Sequence, residues 1–387
     1  MLAGGGLAVP ARVSRAGSGP RGTGDLGIVI ERATGSVLVV ETTGRTVLGR
    51  IEGLGDLSHA SAVFSRDERY AYVFGRDGGL TRLDLLEMRI DRRIVQAGNS
   101  IGGAISDDGR LVAASNYDPG GVKVFDADTL VEVAAIPAIG AQGRASKTVG
   151  LVDVTGRRFV YTLYDAGEIW IADFSRGATP VLTKFPDAGA LPYDANVTGD
   201  GRHYLAGLFG EDGITYLDLW DDAPKLRRVF QGYNAGRDKL PVYKMPHFEG
   251  WGQSGSDLVL PAAGQNEVLL LDLSTLKEKA RIAVHGQPVF CVARPDGREV
   301  WINFAHPAND TIQILDVPKA KIVHTFQPGP AVLHLEFTPR GHEVWISVRD
   351  ADRVDIMDVR TRAKVGEIAA RKPSGILFTA RAHRLGS

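Results

Sequence analysis

The feature that most constrains how this chain can fold is a repeat with a period of 42 to 54 residues. In each unit an apolar strand leads into a polar turn, a second strand follows, and a third strand ends at an aspartate. Periods of roughly 40–50 residues with about four short strands each are typical of the blades of a β-propeller. The aspartates that close the third strands are Asp84, Asp126, Asp173, Asp218, Asp272, Asp316 and Asp358.

Seven complete units leave a partial unit at each end of the chain. Residues 27–52 match the second to fourth strands of a blade, and residues 374–380 match a first strand. Joining them makes an eighth blade and removes the open edge of the array. We therefore predict an all-β fold, one eight-bladed β-propeller over residues 25–382 whose closing blade is built from both termini, with an N-terminal tail (1–24) and a C-terminal tail (383–387).

Composition excludes several classes of function. Lys and Arg number 45 and Asp and Glu 46, so the formal net charge of −1 argues against a general nucleic-acid or anionic-membrane surface. The single cysteine, Cys291, rules out an intramolecular disulfide and a multi-cysteine metal site. The chain has no Cys-x-x-Cys-His motif, which predicts that no c-type haem is attached, and no apolar run approaches the roughly 20 residues of a membrane span.

The N-terminal tail carries a weak hint about location. Leu2-Ala3-Gly4 is what precedes a lipoprotein cysteine, yet position 5 is glycine. We expect no complete signal peptide in residues 1–24, and this segment alone does not settle the compartment.

Counting along the repeats places a candidate site at the mouth of the central channel. The loops that enter first strands share one face of a propeller with the loops that join second and third strands. Equivalent positions on the entry loops include His59, Lys147, Tyr193 and His247, in a register uncertain by about one residue. Arg76 and Tyr117 lie on second-to-third-strand loops of the same face, and charge adds Arg144 to the set.

Each of these residues also has a simpler structural interpretation. A histidine in a propeller loop commonly forms a turn or bonds to a neighbouring blade, and Arg76 can pair with Asp77 or another exposed acid. Tyr117 or Tyr193 can be a packing residue whose hydroxyl contacts water. The tryptophans at positions 170, 301 and 345 are predicted to be core residues.

The residues alone do not decide which ligand these side chains around the channel mouth would bind. A rigid imidazole at a channel mouth suits an axial position on haem iron, and arginines beside a flat macrocycle can bind its carboxylates bidentately. A quinone cofactor or a sugar fits the same geometry, and the aspartates of the upper loops leave glycoside hydrolysis open.

The chain resembles the d1 domain of cytochrome cd1 nitrite reductase. The segment from His59 to Arg76-Asp-Gly is similar to the stretch that carries the proximal haem ligand in that family, and Asn116-Tyr117-Asp-Pro119 resembles its tyrosine-containing loop. Lys244-Met-Pro-His247 resembles the loop of one distal histidine, whereas Ala190-Leu-Pro-Tyr193 has tyrosine where the family has the other. The replaced histidine and the missing c-haem motif favour the branch of the family that serves haem d1 biosynthesis over nitrite reduction.

The resemblance implies a role for each matching residue. His59 would be the axial ligand of the haem iron, and Arg76 would bind a carboxylate. His247 would act on the distal side as an acid, base or hydrogen-bond donor. Tyr117 and Tyr193 would line the pocket, with Tyr193 in the place of the missing imidazole and, together with His247, a candidate catalytic residue. Lys147 and Arg144 are added from their position and charge.

Haem d1, or its dihydro-haem d1 precursor, is therefore the expected ligand or substrate. The resemblance implies periplasmic handling of this tetrapyrrole, with nitrite reductase and other haem d1 assembly proteins as partners and a lipid anchor as the expected contact with a membrane. Two forms of this function stay open, an oxidoreductase that dehydrogenates or otherwise modifies a side chain, and a carrier that does not react. The alternatives outside this class are a protein-interaction propeller without a tetrapyrrole and a quinoprotein or lactonase-like enzyme with a calcium site.

Overall fold

Short β-branched and aromatic segments separated by tight turns give this chain eight four-stranded antiparallel sheets. The computed structural model describes residues 22–242 and 251–386. Its strands are β1 Leu26–Glu31, β2 Ser36–Glu41, β3 Thr46–Ile51, β4 Ser61–Phe64, β5 Tyr70–Phe74, β6 Gly79–Asp84, β7 Arg89–Val95, β8 Asn99–Ile105, β9 Leu111–Asp118, β10 Val122–Asp126, β11 Glu132–Ile136, β12 Thr148–Val154, β13 Arg158–Leu163, β14 Glu168–Asp173, β15 Val181–Phe185, β16 Pro192–Val197, β17 His203–Leu208, β18 Ile214–Asp218, β19 Arg227–Val229, β20 Gly252–Ser254, β21 Asp257–Pro261, β22 Glu267–Asp272, β23 Lys277–Ala283, β24 Pro288–Ala293, β25 Glu299–Phe304, β26 Ile312–Asp316, β27 Lys321–Phe326, β28 Val332–Phe337, β29 Glu343–Val348, β30 Arg353–Asp358, β31 Lys364–Ala369 and β32 Pro373–Phe378. In this described part of the chain, two short 3₁₀ helices span Arg349–Ala351 and Thr379–His383.

The sheets follow the chain as consecutive blades around a channel. Blades 1 to 7 each use four successive strands, from β4–β7 in blade 1 to β28–β31 in blade 7. The closing blade, blade 8, has the strand order β3-β2-β1-β32, so its innermost strand comes from the C-terminal end of the chain. The predicted eight-bladed propeller and its closure by both termini are confirmed.

A buried carboxylate holds the closing blade together. Glu31, at the end of β1, accepts hydrogen bonds from Ser36 on β2 and Arg50 on β3. It also accepts one from the backbone N–H of Arg371, two residues before β32. One side chain therefore joins the N-terminal strands to the C-terminal strand.

Apolar side chains fill the gaps between the blades. Within the described residues there are eight buried clusters, and each one joins a different pair of neighbouring blades. Trp301 of blade 6 meets Phe337 of blade 7 with ring centroids 5.6 Å apart, and Trp345 of blade 7 meets Phe378 of blade 8 at 5.5 Å. Trp170 is also buried, so the prediction that these three tryptophans are core residues is confirmed.

The C-terminal residues lie across one end of the channel, which we call the lower face. This face carries the turns between first and second strands. Arg381 donates two hydrogen bonds to the buried carboxylate of Glu336, and the N–H of Gly386 donates to Asp153. Leu385 packs into the cluster between blades 3 and 4. Within the part of the chain that the structure describes, no helix is long and apolar enough to cross a membrane.

Candidate functional site

We call the end of the channel opposite the lower face the upper face. A cavity of about 310 Å³ lies in the channel on this side. Its wall is built mainly from the first strands and the loops that enter them. Because alternate residues of a strand face the same way, one residue from each first strand forms a ring below the channel mouth. The members of this ring that line the cavity are Ser61, Gly102, Gly150, Asp194, Phe290, His334 and Gly375.

Small residues in this ring create the space. Blades 2, 3 and 8 contribute glycine, so the wall there is backbone. Gly150 has a φ of 56°, and a Cβ at this position would lie 2.9 Å from the Cβ of Ala195. Both the backbone conformation and the close approach of blade 4 therefore require glycine.

His59 lines the cavity at the mouth, on the loop that enters blade 1. Its loop is shaped by Asp56, whose carboxylate accepts the N–H of Ser58 at 2.8 Å. Hydrogen bonds from Ser58 lower the pKa of Asp56, with a smaller contribution from the charges of Arg76 and Arg32, so this carboxylate is ionised. The residue predicted as the iron ligand thus lies in a hollow with an anionic turn beside it.

Two arginines flank this turn. Arg76, on the second-to-third-strand loop of blade 1, has its guanidinium 5.9 Å from the centre of the Tyr117 ring. Asp77 binds Arg93 at 2.7 Å, and the acid on which the charge of Arg76 acts is Asp56.

Arg32, on the equivalent loop of blade 8, lines the cavity itself. Sequence reasoning missed it, although counting the closing blade in the same way as the other blades would have found it.

Three tyrosines cluster on the other side of the mouth. The hydroxyls of Tyr117 and Tyr193 share a hydrogen bond at 3.1 Å, and the rings of Tyr164 and Tyr193 meet edge to face at 6.0 Å. Burial raises the pKa of Tyr193, with a further rise from its neighbour Tyr117, so its phenol is neutral over the physiological range. A β-bulge between Pro192 and Ala195 lets both Tyr193 and Asp194 line the cavity.

His334 is a second histidine of the cavity wall, and sequence reasoning did not single it out. Its Nδ1 accepts the backbone N–H of Ile376 at 3.2 Å, and its ring meets Phe290 edge to face at 5.2 Å. It lies two residues beyond the mouth position on the first strand of blade 7. Extending the count by one strand period would have found it.

Other predicted residues lie elsewhere. Lys147 is held in an ion pair with Asp165 at 2.9 Å on the upper face, and Arg144 is exposed on the loop closed by the bridge between Ile139 and Ala145. Neither is part of the lining of the central cavity. Their roles, like those of His59, Arg76, Tyr117 and Tyr193, stay predictions. His247 and its neighbour Lys244 lie outside the described residues.

Two further cavities lie near the site. A small apolar slot of about 40 Å³ between blades 4 and 5 shares Tyr193 with the central cavity. A polar basin of about 560 Å³ lies on the lower face beside the C-terminal residues. Across residues 22–242 and 251–386, no three His, Cys, Asp or Glu side chains form a group that could hold a metal ion.

The donor set of the cavity suits an anionic, partly apolar ligand that brings its own metal. Imidazole is a good axial ligand for haem iron, and guanidinium groups bind carboxylates. Apolar side chains such as Leu151 and Phe290 line the same space and can contact the face of a macrocycle. The residues present therefore fit an iron tetrapyrrole.

Comparison with known proteins defines the class. A family model described as "Cytochrome D1 heme domain" matches residues 21–382, and this chain belongs to that family. The chain is 58% identical over 368 residues to the protein NirF of Pseudomonas aeruginosa. This match covers 95% of this chain and 94% of the relative. The protein NirF of Stutzerimonas stutzeri is 55% identical over the same length.

The fold has also been seen experimentally in a relative. The structure described as "Dihydro-heme d1 dehydrogenase NirN in complex with DHE" matches with a TM-score of 0.81 at 25% identity. The match covers 97% of this chain and 78% of that chain. That relative, whose fold over the matched part is similar to this one, is in complex with DHE.

Proposed function

We propose that this protein binds a late haem d1 precursor, an iron tetrapyrrole of the dihydro-haem d1 type, in its central cavity and takes part in haem d1 biosynthesis. The observation that carries the proposal is the cavity of a cytochrome D1 heme domain propeller with His59 and Arg32 in its wall. The similarity to NirF and to a dehydrogenase bound to DHE supports the substrate class.

Each residue of the site has a distinct task in this proposal. His59 binds the iron through a ring nitrogen, which must carry no proton in order to do so. Arg76 pairs with a carboxylate of the ligand from the rim of the mouth. Tyr193 and Tyr117, joined by their hydroxyls, contact the ligand on the side away from the arginines.

Binding is tested by titrating purified protein with dihydro-haem d1 and following the Soret band. We expect a saturable shift at one equivalent, with an altered spectrum in His59→Ala that added imidazole restores toward the wild type. A wild-type protein that leaves the spectrum of the free tetrapyrrole unchanged would refute the proposal. An unchanged His59→Ala spectrum would refute the role of His59 alone.

Catalysis and carriage are the two forms of this function, and one experiment separates them. Dehydrogenation of a side chain removes two hydrogen atoms and needs an electron acceptor, so the bound precursor is incubated with and without an added acceptor such as a quinone or a flavin. A product lighter by two hydrogens, formed over many equivalents of protein, identifies an enzyme. A precursor of unchanged mass that passes to apo nitrite reductase identifies a carrier.

Location and partners belong to the same proposal. We place the protein in the periplasm with nitrite reductase as the recipient of the finished cofactor. Fractionation of cells that express the full-length gene product tests the compartment, and co-purification with apo nitrite reductase tests the partner.

A further inference from the structure

The first strands of the blades line two cavities in turn. On β24, Phe290 lines the central cavity, and Val292, two positions later, lines the lower basin. His334 and Glu336 divide in the same way on β28. The lower basin has a volume of about 560 Å³, against about 310 Å³ for the central cavity. The lower half of the channel therefore offers the larger space, and the strands alone do not stop a ligand from leaving on that side.

The C-terminal segment, residues 379–386, crosses this end of the channel. The hydroxyl of Thr379 donates to the carbonyl oxygen of Leu26 on blade 8 at 3.0 Å. Ala382 packs into the apolar cluster between blades 8 and 1, and Leu385 packs into the cluster between blades 3 and 4. In a ring of eight blades, blade 4 lies opposite blade 8. The segment therefore spans the channel from one side to the other.

Buried charged groups hold the segment on both sides. Arg381 donates hydrogen bonds of 3.0 and 3.1 Å to Glu336 on blade 7, and the exposed fractions of the two side chains are 10% and 5%. On the other side, Asp153 of blade 3 accepts the N–H of Gly386 at 2.9 Å. Arg66 of blade 1 donates to the backbone of the same segment and lies 3.4 Å from Asp153. Because breaking a buried ion pair leaves an uncompensated charge, these bonds fix the segment in one position.

The end of the segment fits closely against blade 4. Gly386 has a φ of 69°, and a Cβ at this position would overlap Cγ1 of Val197. Leu385 lies against Gly201 in the lower turn of the same blade, where a Cβ would lie 2.7 Å from Cδ1 of the leucine. Glycine at both positions is therefore what lets the segment reach the far side of the channel.

We propose that the C-terminal segment closes the lower end of the channel, so that the tetrapyrrole enters and leaves through the upper mouth alone. Arg381, Leu385 and Gly386 are positioning residues in this proposal, because they hold the segment and do not line the central cavity. A closed lower end keeps the ligand on the side of His59 and limits the access of water from below. This inference rests on the proposed function, because it specifies the route that the ligand takes.

The test blocks the upper mouth and follows the uptake of dihydro-haem d1 by stopped-flow absorbance at the Soret band. Ser58, an exposed residue at the mouth, is replaced by cysteine and labelled with a maleimide that carries a polyethylene glycol chain. Cys291 is fully buried, so it should not react with the label. In full-length Ser58→Cys the label should slow uptake about tenfold or more. In the same variant shortened to end at Ala380, it should slow uptake less than about threefold, because the lower end is open.

A point variant repeats the test without removing a buried charge. The shortened chain leaves Glu336 without its arginine and can lose stability. In Ser58→Cys with Gly386→Val, the added side chain meets Val197 and displaces the end of the segment, so the label should slow uptake less than about fivefold.

Gly255→Val is the matched control. Gly255 lies in the lower turn of blade 5 and has a φ of 59°, so valine strains the backbone there as it does at position 386. A Cβ at position 255 would meet nothing within 4 Å. In this variant the label should slow uptake as much as in full-length Ser58→Cys.

The outcomes separate this route from the proposed function. If the label leaves uptake by full-length Ser58→Cys unchanged, or slows it equally in the variants with a shortened or displaced segment, the closed lower end is refuted and the function stands. If the unlabelled protein takes up no dihydro-haem d1, both are refuted.

Discussion

Replacing Glu31 by glutamine should loosen the closing blade, because this residue joins the two ends of the chain. Its carboxylate is fully buried at the end of β1. One oxygen accepts Arg50 Nη2 at 3.0 Å and the Arg371 N–H at 2.7 Å. The other accepts Arg50 Nε at 2.7 Å and the Ser36 hydroxyl at 2.8 Å. All four groups donate, so the site requires an acceptor on both oxygens.

The cost follows from these contacts. A glutamine side chain has one acceptor oxygen and one NH₂ group. In either orientation of the amide, its NH₂ group therefore lies against two hydrogen-bond donors. Bonds to a charged group contribute about 1.5–3 kcal/mol each, and the partly exposed Arg50 puts this case at or below the low end. Glu31→Gln should therefore lower the free energy of unfolding by about 2–4 kcal/mol. Glu367→Gln, which removes an exposed ion pair with Lys364, should cost less than about 1 kcal/mol.

Thermal and urea unfolding at two pH values provide the assay. Burial by itself raises the pKa of Glu31, but the bonds from Arg50, Arg371 and Ser36 outweigh it and lower the pKa below 4.5. The stabilisation is therefore present above about pH 4.5 and is lost as the pH falls through the lowered pKa. The two proteins should differ at pH 7 and converge in acid. Equal stability at pH 7, or a difference that persists unchanged into acid, would refute this reasoning.

Three further predictions concern the cavity and the lower face. Gly102→Leu should reduce tetrapyrrole binding by at least tenfold with little change in thermal midpoint, because a Cβ there would meet only Ser61 Oγ at 3.3 Å and the side chain would extend into the cavity. Gly199→Leu on the lower face is the control. Equal binding by both variants would contradict the assignment of the central cavity as the binding site. Tyr193→Phe should remove a phenol that stays protonated above pH 10, because burial raises its pKa, so the alkaline absorbance titration should lose a component that titrates later than an exposed tyrosine; a loss near pH 10 would show that the hydroxyl is exposed. Burial raises the pKa of Asp153 from 3.8 to about 6, so wild-type stability should fall as the pH rises from about 4 to 6, whereas Asp153→Asn should lack this dependence; an identical pH profile in the two proteins would mean that Asp153 is ionised in the fold.

The fold was predictable because its information is local and repeated. Each blade carries a turn and a closing aspartate at nearly constant spacing, and the incomplete units at the two ends complement each other. Counting residues along the repeats was then enough to place His59 and Tyr193 at the channel mouth. Both line the central cavity.

The parts that were missed depend on three-dimensional neighbours. Arg32 lies on the closing blade, whose loops can be compared with those of other blades only after the two termini are joined. His334 lies one strand period below the mouth, and its tautomer is fixed by Ile376, a residue 42 positions away in sequence. β-bulges in first strands, such as the one between Val149 and Val152, also shift the facing of residues in a way that a fixed period does not capture. Lys147 had the right position along its blade, but Asp165 holds its ammonium group.

The position of the iron in crystals of the protein soaked with dihydro-haem d1 shows directly whether the tetrapyrrole is bound in the channel through His59. Anomalous scattering at the iron absorption edge locates the metal independently of the organic ligand. We expect one iron peak in the channel, within coordination distance of a ring nitrogen of His59. A peak in the lower basin, or one bound through another residue, would contradict it.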